Sequence, residues 1–216
     1  MQVGALVLAA GRGDRLGSEV PKAFVSLRGR TLLDRSLATL RAVSLVDQVV
    51  PVVPAAHVND VPGAVAGGAE RQDSVRAGLD ALEARIDWVA VHDAARCLVT
   101  VAEIESVIEA ARETGAAILA IPSPDTVKIV SGDRIASTPE RSSCWIAQTP
   151  QVFRVELLRE AMGKARAEGF LGTDDAQLVE RLGVAVRVVS GSARNLKITR
   201  PEDLRIAEAL LAESGS

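Results

Sequence analysis

Short apolar runs alternate along the chain with longer segments whose apolar residues recur at helical spacing. Residues 3–9, 48–53 and 88–92 are apolar on both faces and predict buried strands. Residues 31–41 place leucines three and four positions apart, which is typical of an amphipathic helix. The same patterns predict further strands over residues 116–121 and 184–189, and further helices over residues 72–82, 100–114, 155–166, 173–181 and 204–212.

Alternating strands and helices predict an α/β fold with a mainly parallel sheet flanked by helices on both faces. The 216 residues suffice for one such domain, so we expect a single Rossmann-like domain over residues 1–216. Two helix starts carry capping boxes, Thr100 with Glu103 and Thr199 with Glu202. Ligands of these sheets bind at the carboxyl ends of the strands. The residues that follow the predicted strands are therefore the first candidates for a site.

Residues 123–147 depart from this alternation. Two extended stretches, 127–130 and 134–137, are joined by Ser131-Gly132-Asp133, which is a hairpin signal. An isolated two-stranded hairpin is only marginally stable in water. We therefore expect a protruding arm over about 123–147 that packs against a second subunit.

Composition excludes several classes of protein. Hydrophobic residues make up 48% and charged residues 25% of the chain, as in ordinary folded domains. A net charge of −3 argues against a nucleic-acid-binding surface, which needs a basic stripe. Aromatic residues make up only 2%, so a base-stacking platform is not expected either.

The cysteines and histidines predict neither a disulfide nor a zinc site. Cys97 and Cys144 lack metal-ligand spacing, and we expect both to be reduced thiols. His57 and His92 are in no ligand pattern. The chain shows no signal-peptide organisation and no apolar run of membrane-spanning length, so we expect a cytoplasmic protein without membrane contact.

A glycine-rich loop follows the first predicted strand. Gly11, Gly13 and Gly17 let the backbone turn its N–H groups toward an anion, and Arg15 and Lys22 add positive charge suited to a polyphosphate. The loop lacks the Gly-Lys-Ser/Thr ending of a Walker A loop. Its third glycine falls one position late for a dinucleotide fingerprint, which makes a NAD-dependent dehydrogenase the weakest interpretation. A tight surface turn with solvated charges remains the alternative.

Four separated motifs carry a resemblance to a known family. They are Leu-Ala-Ala-Gly-x-Gly-x-Arg-Leu-Gly over 8–17 with Pro21-Lys22, His92-Asp-Ala-Ala-Arg96, Thr149-Pro-Gln151, and Asn195-Leu-Lys-Ile-Thr-Arg-Pro-Glu-Asp203. From Val3 to about Leu211 the chain resembles the 2-C-methyl-D-erythritol 4-phosphate cytidylyltransferases of the non-mevalonate isoprenoid pathway. The resemblance implies CTP and a small polyol phosphate as substrates, Mg²⁺ or another divalent cation, and a homodimer interlocked by the arm.

The resemblance also implies roles for individual residues. Arg15 and Lys22 would be catalytic, binding the triphosphate and stabilising the charge of its transition state. The nucleotide-binding residues would be Ala9, Ala10, Gly11, Gly13, Gly68, Glu70, Arg71, Ser74 and Ala94. Without the resemblance, Gly67-Gly68 would be interpreted as a plain turn before a helix.

The acceptor would lie on the other side of the nucleotide. The resemblance assigns Arg141 and Lys197 to its phosphate, because Arg binds phosphate bidentately and Lys supplies a point charge. The residues expected around it are Asp93, Asp125, Thr126, Thr149 and Thr173. Asp93 is also the candidate metal ligand, since Mg²⁺ usually takes one carboxylate together with waters and substrate phosphates. The alternatives are a strand-end turn for Asp93 and a solvated loop charge for Arg141.

No Ser/His/Asp triad and no reactive Cys–His pair is evident in the sequence. A phosphate monoester has a second pKa of about 6 and is largely dianionic at neutral pH, so it attacks without a general base. Two alternatives stay open: a ribitol 5-phosphate cytidylyltransferase and a non-catalytic nucleotide-binding module. Two residues depart from the family pattern, Asp14 in place of a second basic residue and Cys97 in place of proline.

Overall fold

Strands and helices alternate through most of the chain, in a computed structural model that describes residues 1–11, 16 and 20–213. The strands are β1 (Val3–Leu8), β2 (Ser26–Leu27), β3 (Arg30–Thr31), β4 (Val46–Val53), β5 (Val65–Ala66), β6 (Trp88–Asp93), β7 (Ala116–Pro122), β8 (Ile129–Ser131), β9 (Arg134–Ser137), β10 (Trp145–Arg154) and β11 (Arg187–Ser190). The helices are α1 (Leu32–Ala42), α2 (Arg71–Asp80), α3 (Val101–Thr114), α4 (Val155–Ala167), α5 (Asp175–Glu180) and α6 (Pro201–Glu213). Short 3-10 helices span Lys22–Phe24, Ala55–Asp60 and Arg141–Ser143.

Seven of these strands form one mixed sheet, in the order β11-β7-β10-β6-β1-β4-β5. The neighbouring pairs are parallel, except that β10 runs antiparallel to both β6 and β7. The predicted α/β class with a mainly parallel sheet is confirmed. The sequence pattern did not predict β10, which fills the gap between β6 and β7.

Burial on both faces explains the apolar runs of the central strands. In β1, Val3, Ala5 and Val7 pack into the cluster that includes apolar residues of α1 and α3. Leu6 points to the opposite cluster, which includes residues of α2, α4 and α5. A parallel strand that is covered twice in this way has no polar face. The sheet therefore lies between two helical layers, and its strand ends reach the surface.

The α3 helix begins and ends as its sequence predicts. The Thr100 hydroxyl accepts the Glu103 N–H at 3.2 Å, and the Glu103 carboxylate accepts the Thr100 N–H at 2.9 Å, so the predicted capping box is present. At the other end Gly115 adopts a φ of 87° and donates to the Ala111 carbonyl. Glycine suits this left-handed C-terminal position because it has no Cβ. These two ends fix the length of the helix between β6 and β7.

The second predicted capping box is wrong by one residue. The Asp203 carboxylate, not that of Glu202, accepts the N–H groups of Thr199 and Arg200, each at 2.8 Å. The reason is that α6 begins at Pro201, which makes Asp203 the third helical residue. Pro201 occupies the first helical position, where its missing N–H does no harm.

Strands β8 and β9 pair antiparallel and form a two-stranded sheet of their own. Ile129, Val130 and Ile135 are 51%, 56% and 62% exposed, so this hairpin presents apolar side chains to solvent. The predicted extent of the arm, to residue 147, was too long, because Trp145–Arg154 is one continuous strand of the main sheet. Packing of the hairpin against a second subunit stays a prediction.

Within the residues that the structure describes, no helix is both long enough and apolar enough to pass through a bilayer.

Candidate active site

A cavity of about 200 Å³ opens at the carboxyl ends of β1 and β6. Most of the residues predicted to bind nucleotide or to surround it line this cavity: Ala9, Ala10, Gly11, Lys22, Gly68, Glu70, Arg71, Ser74, Asp93, Ala94 and Lys197. The cavity lies where ligands bind in open α/β sheets. Residues from five separate stretches of sequence therefore meet at one edge of the sheet.

The glycine loop leaves β1 at the edge of this cavity. Ala9 donates to the Val52 carbonyl at 2.7 Å, and Ala94 donates to the Leu8 carbonyl at 3.0 Å, so the backbones that follow β1 and β6 are held side by side. Gly13 and Arg15 lie outside the described residues, as do Asp14 and Gly17. Lys22 returns the chain to the cavity wall at the start of the first 3-10 helix.

Gly67 and Gly68 allow close packing beneath the opposite wall. A Cβ at Gly67 would collide with the side chain of Ala10, and a Cβ at Gly68 would collide with that of Asp73. The Gly68 N–H donates to the Ser74 hydroxyl at 3.2 Å, which ties this loop to the first turn of α2. Glycine is therefore required at positions 67 and 68 by close packing against Ala10 and Asp73, and not only by the turn. Gly68 and Ser74 both line the cavity.

Asp93 lies between two cations in the cavity. Its Oδ2 is 2.6 Å from Lys197 Nζ, and its Oδ1 is 3.8 Å from Arg71 Nε. Burial alone would raise the pKa of the Asp93 carboxyl, but the charges of Lys197 and Arg71 prevail and hold that pKa well below its usual range. Asp93 is therefore a carboxylate at any pH where the protein would act.

Arg71 also forms a buried ion pair on the far side of the cavity. Its Nη2 is 2.7 Å from Asp175 Oδ2, and the Asp175 side chain has no exposed surface. Burial works against the charge on Arg71, yet Asp175 and Asp93 raise the pKa of the guanidinium above its usual value. Burial raises the pKa of the Asp175 carboxyl, and Arg71 opposes that rise. The sequence did not single out Asp175, whose partner is distant along the chain.

Thr149 lies behind Asp93 rather than in the cavity wall. Its hydroxyl accepts the Asp93 N–H at 3.0 Å and is 3.1 Å from His92 Nδ1. Burial lowers the pKa of His92 to about 4, so the imidazole is neutral at physiological pH. Thr149 was predicted to contact the acceptor, but its hydroxyl is already used in supporting the end of β6.

Besides Thr149, four predicted acceptor residues do not line the cavity. Asp125 and Thr126 lie in an exposed segment between β7 and β8, and Arg141 is an exposed residue at the start of the last 3-10 helix. Thr173 is also exposed and donates its N–H to Gln177 Oε1 at 2.9 Å. Within the described residues of one chain, these four are therefore separate from Lys22, Asp93 and Lys197.

Three buried amides support the site and were not predicted to. Gln148, Gln151 and Asn195 are all nearly or fully buried. Gln151 Oε1 accepts the N–H groups of Asp175 and Ala176, each at 3.1 Å, and so caps the start of α5. Gln151 and Asn195 occur in the motifs that carry the family resemblance, which was the only available signal.

The described residues fit only one kind of metal site. Among them, no group of three or more His, Cys, Asp or Glu side chains is placed to hold an ion. Asp93 is an ionised carboxylate whose Oδ1 is beyond hydrogen-bond distance from Arg71. One such oxygen suits Mg²⁺ that takes its remaining ligands from substrate phosphates and water, and it does not suit a cage built by protein alone.

The chain is similar to known proteins along nearly its whole length. Residues 3–213 match the family model described as "IspD: 2-C-methyl-D-erythritol 4-phosphate cytidylyltransferase". The protein of that name from Symbiobacterium thermophilum is 46% identical, covering 98% of this chain and 93% of the relative. The one from Geotalea uraniireducens is 42% identical, covering 100% of this chain and 99% of the relative.

Solved structures give the same result for the fold. The 2-C-methyl-D-erythritol 4-phosphate cytidylyltransferase of Thermus thermophilus is 41% identical, with a TM-score of 0.83 over 97% of this chain and 98% of that one. The 4-diphosphocytidyl-2C-methyl-D-erythritol synthase of Anaerococcus prevotii is 31% identical, with a TM-score of 0.87 over 97% and 96%. The arrangement of strands around the cavity is therefore shared with these proteins.

Proposed function

The chain belongs to the 2-C-methyl-D-erythritol 4-phosphate cytidylyltransferase family, and from this membership we propose that it transfers the cytidylyl group of CTP to 2-C-methyl-D-erythritol 4-phosphate. The products are 4-diphosphocytidyl-2-C-methyl-D-erythritol and pyrophosphate, in the synthesis of isoprenoid precursors. The observation that carries the proposal is the single cavity in which Lys22, Asp93 and Lys197 meet the glycine loop.

The nucleotide occupies the cavity between the glycine loop and the first turn of α2. Gly68 and Ser74 line this part of the cavity, and its volume of about 200 Å³ suits a small pyrimidine ring. Lys22 neutralises the triphosphate, and Arg15, assigned from sequence, shares this role. Cations that are fixed before the reaction stabilise the charge that develops on the leaving diphosphate. Loss of one such group lowers the rate without any change in the rest of the site.

The acceptor phosphate attacks the α-phosphorus of CTP. A phosphate oxygen of the acceptor forms the new bond, and the bond between the α-phosphorus and the oxygen bridging to the β-phosphorus breaks, so that pyrophosphate leaves. Lys197 holds the acceptor phosphate at the cavity wall. No proton transfer is needed because the acceptor is already ionised. This agrees with a site whose neighbouring imidazole, His92, is buried and neutral.

Mg²⁺ bound by Asp93 and by the phosphates of CTP would complete the site. The ion would supply further charge neutralisation to the triphosphate. Lys197 contacts Asp93 at 2.6 Å and keeps the carboxylate oriented toward the cavity. The protein's own contribution is thus one ionised oxygen in a fixed place.

A homodimer joined by the β8–β9 hairpin, located in the cytoplasm, completes the proposal. The exposed apolar side chains of the hairpin support burial against a second copy. Arg141 follows the hairpin and is outside the cavity of its own chain. In the dimer, Arg141 of the partner subunit contributes to binding of the acceptor phosphate. Asp125 and Thr126 would enter the site in the same way.

A pyrophosphate-release assay tests the proposed function. Purified protein with Mg²⁺ and CTP should release pyrophosphate with 2-C-methyl-D-erythritol 4-phosphate, and much less with ribitol 5-phosphate or with no acceptor. The Lys197→Ala variant should raise the KM for the acceptor more than the KM for CTP, since Lys197 is proposed to hold the acceptor phosphate. CTP binding by calorimetry, without pyrophosphate release in the presence of either acceptor, would instead indicate a non-catalytic nucleotide-binding module.

A further inference from the structure

Asn195 is a fully buried residue that joins two loops at the site without reaching the cavity. Its side-chain Nδ2 donates to the Thr149 carbonyl at 3.0 Å and to Gln148 Oε1 at 3.3 Å. Its own carbonyl accepts from Arg96 Nη1 at 2.8 Å and from Gln148 Nε2 at 3.3 Å. Through these bonds Asn195 links the loop before α6 to β10 and to the loop after β6.

Lys197 lies between two anchored points of the same loop. On one side the Asn195 carbonyl is held by Arg96 and Gln148. On the other side the Ile198 N–H donates to the Ala95 carbonyl at 2.9 Å. Because the backbone is held on both sides, the position of the Lys197 Cα is fixed, and from there the flexible side chain extends until Nζ contacts Asp93. These hydrogen bonds therefore determine the position of the positive charge in the cavity.

The side chain of Asn195 acts on the other member of the pair. Thr149, whose carbonyl accepts from Asn195, supports the Asp93 N–H with its hydroxyl. Asn195 thus bonds to the residue that supports Asp93, and its own backbone is part of the loop that carries Lys197.

We propose that Asn195 is a positioning residue that sets the spacing of Asp93 and Lys197. It touches neither substrate nor reacting atoms and acts through these two groups. The inference rests on the proposed function for its kinetic consequences, since a displacement of about 1 Å in such a group lowers the rate by roughly 100-fold. Arg96 and Gln148 serve the same end through the Asn195 carbonyl.

A double-mutant cycle with Lys197 tests the proposal. Asn195→Ala should lower kcat/KM for the acceptor by roughly 10- to 100-fold in the wild-type background. In the Lys197→Ala background the same change should lower it by a smaller factor, because residues that act through one another are not additive, and the remaining loss reflects the support of Asp93 through Thr149. Gln148→Ala is the second variant, and it should show the same non-additivity if Asn195→Ala does not fold.

Gln48→Ala is the matched control. Gln48 is also an amide that joins two segments, accepting the Glu83 N–H at 2.8 Å and donating to the Ala81 carbonyl at 3.2 Å. It lies at the amino-terminal edge of the sheet, away from the cavity. Its loss should leave kcat/KM within about twofold of wild type, because Gln48 is half-buried and does not line the cavity.

Amide hydrogen exchange gives a readout that does not depend on activity. The Asp93 and Ile198 amide protons should exchange faster in Asn195→Ala than in Gln48→Ala. If wild-type protein releases no pyrophosphate, the proposed function fails while this measurement still decides the positioning role. Full additivity with Lys197→Ala, or exchange no faster than in the control, would overturn the proposal.

Discussion

Asp93 and Asp175 show how two buried carboxyls in contact with the same arginine acquire opposite pKa shifts. Burial raises the pKa of both. For Asp93 two cations outweigh burial, and Lys197 at 2.6 Å has the larger effect of the two. Asp175 has Arg71 alone, and neighbouring carboxylates oppose it. The second close cation at Asp93 therefore accounts for a pKa shift opposite in direction to that of Asp175.

Replacement of Lys22 by alanine should lower kcat by roughly 10²- to 10³-fold, the scale for losing one preorganised donor to a transition state. Steady-state pyrophosphate release measures the change, and the folded state is checked by thermal unfolding. Arg15→Ala is expected to behave alike. Turnover near the wild-type rate in both variants would remove the glycine loop from the mechanism.

Replacement of Arg71 by alanine should lower the free energy of unfolding by about 3 kcal/mol, because Asp175 is left buried without a partner. Arg76→Ala, on the same helix, is the control. Its ion pair with Asp73 is largely exposed, at 45% and 35%, and should contribute under about 1 kcal/mol. Urea unfolding measures both variants.

This loss of stability should shrink as the pH falls. The folded-state pKa of Asp175 lies above its unfolded value, so its contribution is fully present below the unfolded pKa and is lost as pH rises through the folded pKa. Without Arg71 the pKa of Asp175 in the folded state rises further. Protonation of Asp175 then removes its buried charge and restores part of the lost stability. A deficit for Arg71→Ala that stays constant between about pH 7 and pH 4 would contradict the account.

At the scale of elements, local patterns predicted those strands and helices whose burial is apolar. The capping box of α3 can be predicted from the sequence because its two residues are three positions apart. The apolar runs of β1 and β6 can be predicted because any apolar neighbour can bury them on each face of the sheet. Strand β10 is not, since its buried residues include Gln148, Thr149 and Gln151. Their hydrogen bonds go to residues distant in sequence, such as Ser192 and Asp174, which no local pattern encodes.

The residues of the site also fall into two groups, those that local motifs predicted and those whose contacts are distant in sequence. Lys22, Asp93 and Lys197 were predicted because they stand in motifs after strands or before a helix, and the structure brings them together. The supporting role of Asn195 was not predictable, because its partners Arg96 and Thr149 are 99 and 46 residues away. Sequence thus indicated the charged groups that line the cavity and left out most of what supports them.

The start of α6 gives a prediction with a built-in control. Asp203→Ala should lower the free energy of unfolding by about 1 kcal/mol, because two backbone N–H groups lose their acceptor. Glu202→Ala, one residue earlier and exposed, should change it by less than about 0.5 kcal/mol. Equal losses in urea unfolding would mean that the carboxylate of Asp203 does not cap the helix.

At the scale of the whole molecule, the site draws on elements from both halves of the chain. Neighbouring strands β1 and β6 supply the glycine loop and Asp93, and the loop before α6 supplies Lys197. The hairpin stands apart from the main sheet and carries exposed apolar residues. Arg141, which follows it, lies outside the cavity of its own chain and in the proposed dimer would act in the site of the other subunit.

Mixing two inactive variants should restore activity if Arg141 acts across the dimer. Lys22→Ala and Arg141→Ala would combine so that each heterodimer holds one intact site and one doubly defective site. With random exchange, half of the dimers are mixed, which gives about a quarter of wild-type activity. Arg76→Ala mixed with Lys22→Ala is the control for dilution, because it should keep about half of wild-type activity with or without exchange. No recovery despite heterodimers detected by native mass spectrometry would place Arg141 in its own chain's site.

Because β10 runs antiparallel to β7, the hairpin between them can vary in sequence and length without a change in the main sheet. Because β10 starts where β7 ends, with Trp145 opposite Pro122 and the Ser123 N–H bonded to the Cys144 carbonyl, the chain leaves and re-enters the sheet at adjacent points. An excursion closed at its base in this way can grow, shrink or change its tip without shifting the register of either strand. A change in the hairpin can thus leave the strands that carry the cavity in place, and in the proposed dimer it would alter only the contact between the subunits.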